Sequence, residues 1–281
     1  NAMEVAIAGN VAFIADENYK ILCINISDPT LPNQIGSVNT NAKVRGICIS
    51  NDIAFIGELN GDLQCFKISD PFNPILVASY NTPDQIHGVE ISGDIVYLAD
   101  WAAGLQSIQI SNPIAPIFVG DYEITGETWN VEVSGNIAYL PIYGVGLHSI
   151  NITDPTNPIL IGTYNAPQYS DVAIHGDLAF LTANTLGIDC LNISDPRNPI
   201  FLANYNTPDI AYAVEIQGDI AYVADYNSGL QCINISDPTA LSPIGTYNTP
   251  GSARDLIVSG DVAYIADRQA GLQCINISDP T

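Results

Sequence analysis

Hydrophobic and polar residues alternate along this chain in short segments, each bounded by turn-forming residues. Within residues 211–247, "AYAVEIQ" and "IAYVA" are β-rich segments joined by Gly218 and Asp219, a pair typical of a two-residue hairpin. The segments "LQCINI" and "IGTYN" follow, separated by a proline-containing turn in which Asp237 can bond its own backbone. No stretch of useful length in this unit has helical periodicity, so the pattern predicts four antiparallel strands.

The same unit recurs along the chain, as the spacing of its Asp-Pro and Asn-Pro pairs shows. Successive pairs are 42, 42, 42, 41, 42 and 42 residues apart. They begin at Asp28, Asp70, Asn112, Asp154, Asp195, Asp237 and Asp279. One ten-residue sequence, "LQCINISDPT", occurs at both 230–239 and 272–281. Short strands repeated with a period of about 40–50 residues are typical of β-propeller blades.

The sequence therefore predicts an all-β fold, a seven-bladed β-propeller of four-stranded antiparallel blades. The apolar run at residues 95–99 agrees, because strands in stacked blades are buried on both faces. Residues 1–3 are expected to be a tag-cleavage scar and a start residue, and residues 4–281 a single domain. The predicted blades span residues 4–39, 44–80, 86–122, 128–164, 170–205, 211–247 and 253–281.

The last unit differs from the others by one strand. The pattern contains seven first, second and third strands but only six fourth strands. The seventh blade is therefore predicted to lack its outermost strand and to expose the edge of its third strand, unless more chain or a neighbouring molecule supplies the fourth. Open sheet edges favour pairing with another strand, so a contact is expected there.

Two recurring segments carry a family resemblance. "GLQCINISDP" at 229–238 and "NPILIGTYN" at 157–165 resemble the LVIVD repeat, a propeller-type repeat of bacterial and archaeal proteins, and the resemblance covers nearly the whole chain. The family's Asp near the end of its motif is replaced here by Asn25, Lys67, Gln109, Asn151, Asn192, Asn234 and Asn276. The resemblance implies a seven-bladed propeller and no defined reaction. Since such repeats often occur in surface or secreted proteins, an extracellular or cell-surface location is expected.

Charge narrows the range of partners. The 281 residues include 7 Lys and Arg against 30 Asp and Glu, which gives a net charge of −23. A phosphate backbone or an anionic membrane surface would be repelled, so nucleic acid is not expected as a partner. No apolar run approaches the length of a membrane span, so no membrane insertion is expected either.

Comparing the repeats separates structural residues from candidate functional ones. One aromatic position recurs in all seven second strands and is predicted to pack between blades: Phe13, Phe55, Tyr97, Tyr139, Phe180, Tyr222 and Tyr264. The large aromatic residues outside the repeat pattern are Tyr19, Trp101, Trp129, Tyr143, Tyr169, Tyr212 and Tyr226. All seven fall in loops between second and third strands, or between a fourth strand and the next first strand. We call the end of the propeller that carries these loops the top face.

One position of the repeat is chemically diverse. Two residues before the first-strand Val, Ile or Leu stand Met3, Arg45, His87, Trp129, Ser170, Tyr212 and Arg254, which we call the mouth positions. First strands are innermost in a propeller, so these side chains should ring the top mouth of the central channel. Loops on rigid scaffolds often carry function. The predicted ligand-binding residues are Arg45, His87, Trp101, Trp129, Tyr143, Ser170, Tyr212, Tyr226, Arg254 and Arg268.

The cysteines are predicted to be structural. Five share one third-strand position, filled by Ser107 and Ser149 in the other two blades: Cys23, Cys65, Cys190, Cys232 and Cys274. Packed sheets lie about 10 Å apart, beyond the limit of about 7 Å between the Cα atoms of a disulfide. No disulfides are therefore expected, and the cysteines do not report an oxidising compartment.

The acidic residues leave two alternatives. Glu90, Glu132 and Glu215 share a first-strand position and could either hold Ca²⁺ in the channel or contact channel water. No other cofactor is expected. The second-to-third-strand loops begin with a recurring Asp that is predicted to cap its own turn: Asp16, Asp100, Asp225 and Asp267. The histidines occupy different positions of the blade and are not expected to converge on a metal: His87, His148 and His175.

Three functions fit these patterns. The first is a non-catalytic binding or interaction module with a top-face site for a protein, peptide or carbohydrate, since aromatic residues interspersed with Arg suit such ligands. The second is a structural or adhesive module of a larger surface protein, with an interface on the rim. The third is a propeller-type hydrolase or lyase, which requires a His or carboxylate at the mouth within hydrogen-bond reach of another titratable group.

Overall fold

The structure, a computed structural model, describes residues 1–166 and 168–281. The described residues form 28 strands in seven antiparallel sheets, which confirms the predicted all-β propeller. Blade 1 consists of β1 (Ala2–Ala8), β2 (Val11–Asp16), β3 (Lys20–Asn25) and β4 (Asn33–Asn39). Blade 2 consists of β5 (Val44–Ser50), β6 (Ile53–Glu58), β7 (Asp62–Lys67) and β8 (Ile75–Asn81). Blade 3 consists of β9 (Gly88–Ser92), β10 (Ile95–Asp100), β11 (Gly104–Gln109) and β12 (Ile117–Tyr122).

The fourth blade has a divided first strand, and the last blade is incomplete. Blade 4 consists of β13 (Glu127–Thr128), β14 (Glu132–Ser134), β15 (Ile137–Tyr143), β16 (Gly146–Asn151) and β17 (Ile159–Asn165). Blade 5 consists of β18 (Asp171–His175), β19 (Leu178–Thr182), β20 (Ile188–Asn192) and β21 (Ile200–Tyr205). Blade 6 consists of β22 (Ala213–Gln217), β23 (Ile220–Ala224), β24 (Leu230–Asn234) and β25 (Ser242–Tyr247). Blade 7 consists of β26 (Asp255–Ser259), β27 (Val262–Ala266) and β28 (Leu272–Asn276).

Strands within each blade pair in sequence order, and the register is the same from blade to blade. In blade 6, Glu215 lies opposite Tyr222, Tyr222 opposite Cys232 and Cys232 opposite Gly245. In all six complete blades a β-bulge lies between the third and fourth strands, directly after the position equivalent to Cys232. Blade 7 has three strands, so β28 is an edge strand, as the pattern predicted.

The first strands form the inner ring of the propeller. They contact one another in the order β1, β5, β9, β14, β18, β22 and β26, and β26 contacts β1. The ring closes where the amide of Ala2 donates to the carbonyl of Arg268 at 2.8 Å. Ala2 and Met3 are buried and belong to β1, which therefore begins two residues before the start predicted for blade 1.

The hydrophobic core lies between blades rather than at one centre. Each aromatic residue of the second-strand position is buried, and each packs against the first and second strands of a neighbouring blade. Tyr97, for example, packs with Val131 and Leu140 of blade 4. These residues pack between blades, as predicted from the repeats. The blades are therefore fixed relative to one another, which makes the inner ring a rigid frame.

The two bottom-face turns follow the predicted chemistry. The first hairpin of blade 6 has two loop residues, and Gly218 adopts the left-handed conformation with φ of 58°. In blade 2 the equivalent residue is Asn51, with φ of 53°, since Asn tolerates this region better than most residues. Oδ1 of Asp237 accepts a hydrogen bond from the amide of Thr239 at 2.9 Å, which confirms the predicted turn.

The six cysteines are free thiols. Burial raises the pKa of Cys23, Cys65 and Cys190 to about 12, so these thiols are protonated at neutral pH. Ser107 and Ser149 occupy the same buried row. This row is structural, as predicted.

Candidate functional site

All seven mouth positions meet at one cavity on the propeller axis. The cavity has a volume of about 120 Å³, enough for several water molecules, and its wall includes Met3, Arg45, His87, Trp129, Ser170, Tyr212 and Arg254. These residues are about 40 positions apart in the sequence and come together only because each first strand points its top end at the axis. The structure thus brings together the residues that the repeat comparison selected.

Irregular first strands direct these side chains into the cavity. Met3 and Arg45 each lie at a β-bulge, between Ala2 and Glu4 and between Val44 and Gly46. In blade 4, Trp129 lies in the gap between β13 and β14. A bulge turns a side chain away from the regular alternation of the strand. A regular strand would not place residues of such different size on one ring.

Loops of neighbouring blades hold the mouth positions from the outside. The amide of Thr128 donates to the carbonyl of Trp101 at 3.2 Å. The amide of Ala253 likewise donates to the carbonyl of Tyr226 at 2.9 Å. Each loop residue therefore lies beside the mouth residue of the next blade. Trp101 and Tyr226 both have φ of 43°, a left-handed conformation that is unfavourable for aromatic residues. Strained backbone of this kind concentrates at functional sites.

Three aromatic rings form a cluster on one side of the mouth. The His87 ring stacks on Trp101 with centroids 4.5 Å apart, and Trp129 meets both rings edge-on at 4.9 and 5.0 Å. His87 is only 8% exposed. Burial, together with the charge of Arg45, lowers the pKa of His87 to about 4, so its ring is neutral at pH 7.

A second cluster lies on the opposite arc of the ring, in blades 6 and 7. The guanidinium carbon of Arg254 lies 4.0 Å from the centroid of the Tyr212 ring and 4.9 Å from that of Tyr226. The two tyrosine rings meet edge-on at 5.5 Å. These cation–π contacts fix the guanidinium without using its N–H groups.

Several hydrogen-bond donors at the mouth lack acceptors. Among the described residues, no partner is found for the buried Nε of Arg45, Nε of Arg254 or Nε1 of Trp129, and Nε2 of His87 is also unpartnered. An unsatisfied buried polar group costs about 1–3 kcal/mol. Four such atoms around one cavity are unusual, because most buried polar groups in folded proteins are hydrogen-bonded.

The repeat comparison missed a second polar ring directly below the mouth positions. Glu4, Asn130, Asp171 and Asp255 occupy the next residue of the first strand and line the same cavity. Each carboxylate accepts a hydrogen bond from a backbone amide of the following blade. The amide of Ile47 donates to Glu4 at 3.2 Å. The amide of Val214 donates to Asp171, and that of Val5 to Asp255, both at 2.8 Å. The Nδ2 of Asn130 donates to Asp171. Burial, and then neighbouring carboxylates, raise the pKa values of Glu4 and Asp255.

One sequence feature could have revealed this second ring: three of its seven positions hold small residues instead of polar ones. The equivalent residues of the other blades are Gly46, Gly88 and Ala213. A Cβ on Gly88 would lie 2.7 Å from the Cα of Asn130, so the inner strands approach too closely there for a side chain. Four polar residues against three small ones indicate a ring that is filled on only part of its circumference.

The three glutamates proposed for the channel lie below these two rings. Glu90, Glu132 and Glu215 line the lower cavities on the axis. Burial, reinforced by neighbouring carboxylates, raises the pKa of Glu132 to about 9 and those of Glu90 and Glu215 to about 7. Among the described residues, no group of three or more His, Cys, Asp or Glu side chains is arranged to hold a metal ion.

Four predicted ligand-binding residues do not line this cavity: Trp101, Tyr143, Tyr226 and Arg268. Tyr143 is 41% exposed, and Arg268 lies 3.7 Å from Glu17 in an ion pair. Tyr169, one of the large aromatic residues outside the repeat pattern, has its ring buried between blades, and its hydroxyl donates to Asp189 at 2.6 Å. Tyr169 directly precedes Ser170, and the alternation along the strand turns it away from the axis.

The recurring loop aspartates also differ in part from the prediction. Asp16 caps its own loop by accepting from the amide of Asn18 at 2.7 Å. Asp267 instead accepts from the hydroxyl of Thr249 and the amide of Gly251, both at 2.7 Å, in the segment that enters blade 7. This carboxylate therefore ties two top-face loops together. The arrangement holds the loops that support the mouth.

The ring of seven blades and its axial cavity define the chain as a seven-bladed β-propeller. The chain belongs to the LVIVD-repeat family. The LVIVD repeat matches residues 1–40, 42–82, 85–124, 125–166, 168–207, 210–249 and 250–281. The comparison with curated proteins gives no match.

Solved structures share the fold at low sequence identity. U3-55K has a TM-score of 0.79 with 10% identity, covering 95% of this chain and 88% of that one. The WD40 repeats of RRP9 have a TM-score of 0.78 with 10% identity, covering 99% and 91%. A computationally designed protein called Ika8 has a TM-score of 0.73 with 10% identity, covering 98% and 96%. Similarity at this level concerns the fold. In the described part of the chain, no helix is long and apolar enough to cross a membrane.

Proposed function

We propose that this protein is a non-catalytic binding module whose ligand occupies the mouth of the central channel on the top face. The observation that carries the proposal is the set of unpartnered buried polar atoms on Arg45, His87, Trp129 and Arg254, which surround one cavity. These four side chains line the cavity, so a ligand there would lie beside polar groups that the described residues leave unpaired. Aromatic side chains beside them offer apolar contact area, which is the usual composition of a small-molecule site.

The position of His87 favours binding over catalysis. Its ring is packed against Trp101 and Trp129, and in the described residues its side chain has no hydrogen bond to a titratable group. A hydrolase or lyase would need a general base at the mouth that contacts its proton donor or acceptor. The stacked, neutral His87 fits a wall of the site better than that role.

The experiment is a ligand screen by thermal unfolding, run in parallel on the wild-type protein and on a Trp129→Ala variant. A ligand that binds only the folded state stabilises it by about 2.7 kcal/mol at a concentration of 100 times its Kd. We expect ligands that raise the melting temperature of the wild-type protein and not that of Trp129→Ala. Tyr143→Ala is the control, since it removes an exposed top-face ring that does not line the cavity. Equal shifts in Trp129→Ala for every ligand found would refute a site at the mouth.

A second candidate function rests on a different surface. The outer strands of blades 2 to 5 each begin with two exposed apolar residues, which are 37–58% exposed: Ile75, Leu76, Ile117, Phe118, Ile159, Leu160, Ile200 and Phe201. The equivalent residues in blades 1 and 6 are Asn33, Gln34, Ser242 and Pro243. An apolar belt on adjacent blades suits contact with another protein surface in a structural or adhesive module. Sedimentation of the wild-type protein and of a Phe118→Ser, Phe201→Ser double variant tests the simplest case: self-association that the variant retains would argue against the belt.

A further inference from the structure

The two arginines of the mouth form no ion pair with any of the described residues. Carboxylates of Glu4, Asp171 and Asp255 line the same cavity, yet the ion pairs within the described residues join only the amino terminus to Asp16 and Arg268 to Glu17. The three cavity carboxylates instead accept backbone hydrogen bonds from the next blade. The inner ring therefore uses its acids for its own assembly, and the described residues leave Nε of both arginines without an acceptor.

The mouth brings together two of the few cations of the molecule. The protein carries a net charge of −23, and it has only seven Lys and Arg residues. Two of them, Arg45 and Arg254, line this one cavity. Burial and then the nearby charge of Arg254 lower the pKa of Arg45, so the two cations repel each other across the mouth. An anion between them would relieve that repulsion.

The geometry points to a ligand class: we infer that the mouth binds a singly charged organic carboxylate between Arg45 and Arg254, with an apolar or ring-shaped body against Trp129 and His87. This inference rests on the proposed function. The planar fork of a guanidinium matches a carboxylate. The indole N–H of Trp129, in the same cavity wall as the arginines, is a further unpartnered donor.

The charge of the ligand is limited by the ring of acids below the mouth. Glu4, Asp171 and Asp255 share the cavity with the two arginines, and a second negative charge on the ligand would further disfavour the ionised form of these acids. This favours a carboxylate over a phosphate dianion. The aromatic wall favours a carboxylate attached to a ring over a small inorganic anion.

The probes are two matched pairs, cyclohexanecarboxylate with cyclohexanecarboxamide and glucuronate with glucose, together with inorganic phosphate. Both tryptophans of the protein, Trp101 and Trp129, lie at the mouth, so intrinsic fluorescence at constant ionic strength reports binding there. We expect saturable changes with the carboxylates and at least about 10-fold weaker binding of the neutral partners, from the loss of charge-assisted hydrogen bonds. Phosphate is expected to bind more weakly than the better carboxylate.

Three variants test the assignment of residues. Arg45→Gln and Arg254→Gln are each expected to weaken carboxylate binding about 10- to 100-fold, because each removes a charge-assisted contact. Arg197→Gln removes the same charge from an exposed bottom-face turn and should leave the affinity unchanged. Circular dichroism and the melting temperature establish that each variant is folded.

Failure of the inference and failure of the proposed function give different results. If the neutral partners bind as tightly as the carboxylates, and Trp129→Ala weakens both, a ligand site at the mouth stands and the anionic ligand class is wrong. If phosphate binds more tightly than both carboxylates, the limit to a single charge is wrong. If no probe changes the fluorescence of the folded protein, the carboxylate inference falls, and the ligand screen decides the proposed function separately.

Discussion

At the scale of the residue, the mouth depends on exceptions to the repeat. Five blades place Arg45, His87, Trp129, Tyr212 and Arg254 where a strict repeat would place one residue type. The exceptions extend one residue further, to Gly46 and Gly88, whose missing side chains let neighbouring inner strands approach. Size and charge at single positions therefore set the shape of the cavity, while the scaffold residues around it stay constant.

Gly88→Ala tests this close approach. Its Cβ would lie 2.7 Å from the Cα of Asn130, a backbone atom that cannot move without displacing the first strand of blade 4. We expect the free energy of unfolding to fall by about 1–3 kcal/mol, the usual cost of overpacking. Denaturant unfolding measures it. Ala213→Gly is the matched control at the equivalent residue of blade 6; a loss in Gly88→Ala no larger than in this control would contradict the close approach.

At the scale of the element, the sequence repeats allow one strand to be compared with another. β24 and β28 have the same sequence, "LQCIN", but only β24 is paired with a fourth strand, β25. In four of the six complete blades a fourth-strand glycine packs on the proline turn of the next blade, as Gly245 does on Pro280. β25, which pairs with the identical strand β24, therefore has a sequence suited to pairing with the open edge of β28.

A peptide of residues 239–248, which includes β25, is predicted to pair with β28. Antiparallel pairing would satisfy the backbone groups of the β28 edge, so the peptide should raise the melting temperature in a saturable way. The control peptide carries Val in place of Gly245, because a side chain at this position would overlap the carbonyl of the next proline turn. The prediction fails if both peptides shift the melting temperature equally or if neither does.

At the scale of the whole molecule, the ring concentrates acids on its axis. Glu90, Glu132 and Glu215 belong to three different blades and line the channel, where burial and neighbouring carboxylates raise their pKa values. A carboxyl group with a raised pKa in the folded state binds protons more tightly there than in the unfolded chain. The stability that it contributes is therefore complete below its ordinary pKa of 4.5 and is lost as the pH rises through about 7 for Glu90 and Glu215 and about 9 for Glu132.

The melting temperature should accordingly fall as the pH is raised from about 6 to about 9. Glu132→Gln should reduce this fall, since the neutral amide has no proton to lose. Glu123→Gln removes one negative charge at an exposed position and serves as the control for net charge. Differential scanning calorimetry across this range measures the effect. A pH profile of Glu132→Gln that coincides with those of the wild-type protein and the control would refute the assignment.

The sequence by itself determined the strands, the number of blades and the ring of mouth positions. These follow from local alternation and from a repeat that puts equivalent residues at equivalent places, so Arg45, His87 and Arg254 could be assigned to one ring without coordinates. The incomplete seventh blade followed from the same count of strands.

Only the tertiary structure decided which members of the ring contact one another. The stacking of His87 on Trp101, the burial of Tyr169 and the hydrogen bond from Val5 to Asp255 depend on distances between blades, which a repeat pattern does not contain. The raised pKa values in the channel arise in the same way, from burial and from charges on blades far apart in the chain. Alternation and spacing record the neighbours of a residue along its own strand, whereas the chemistry of the mouth depends on neighbours across the axis.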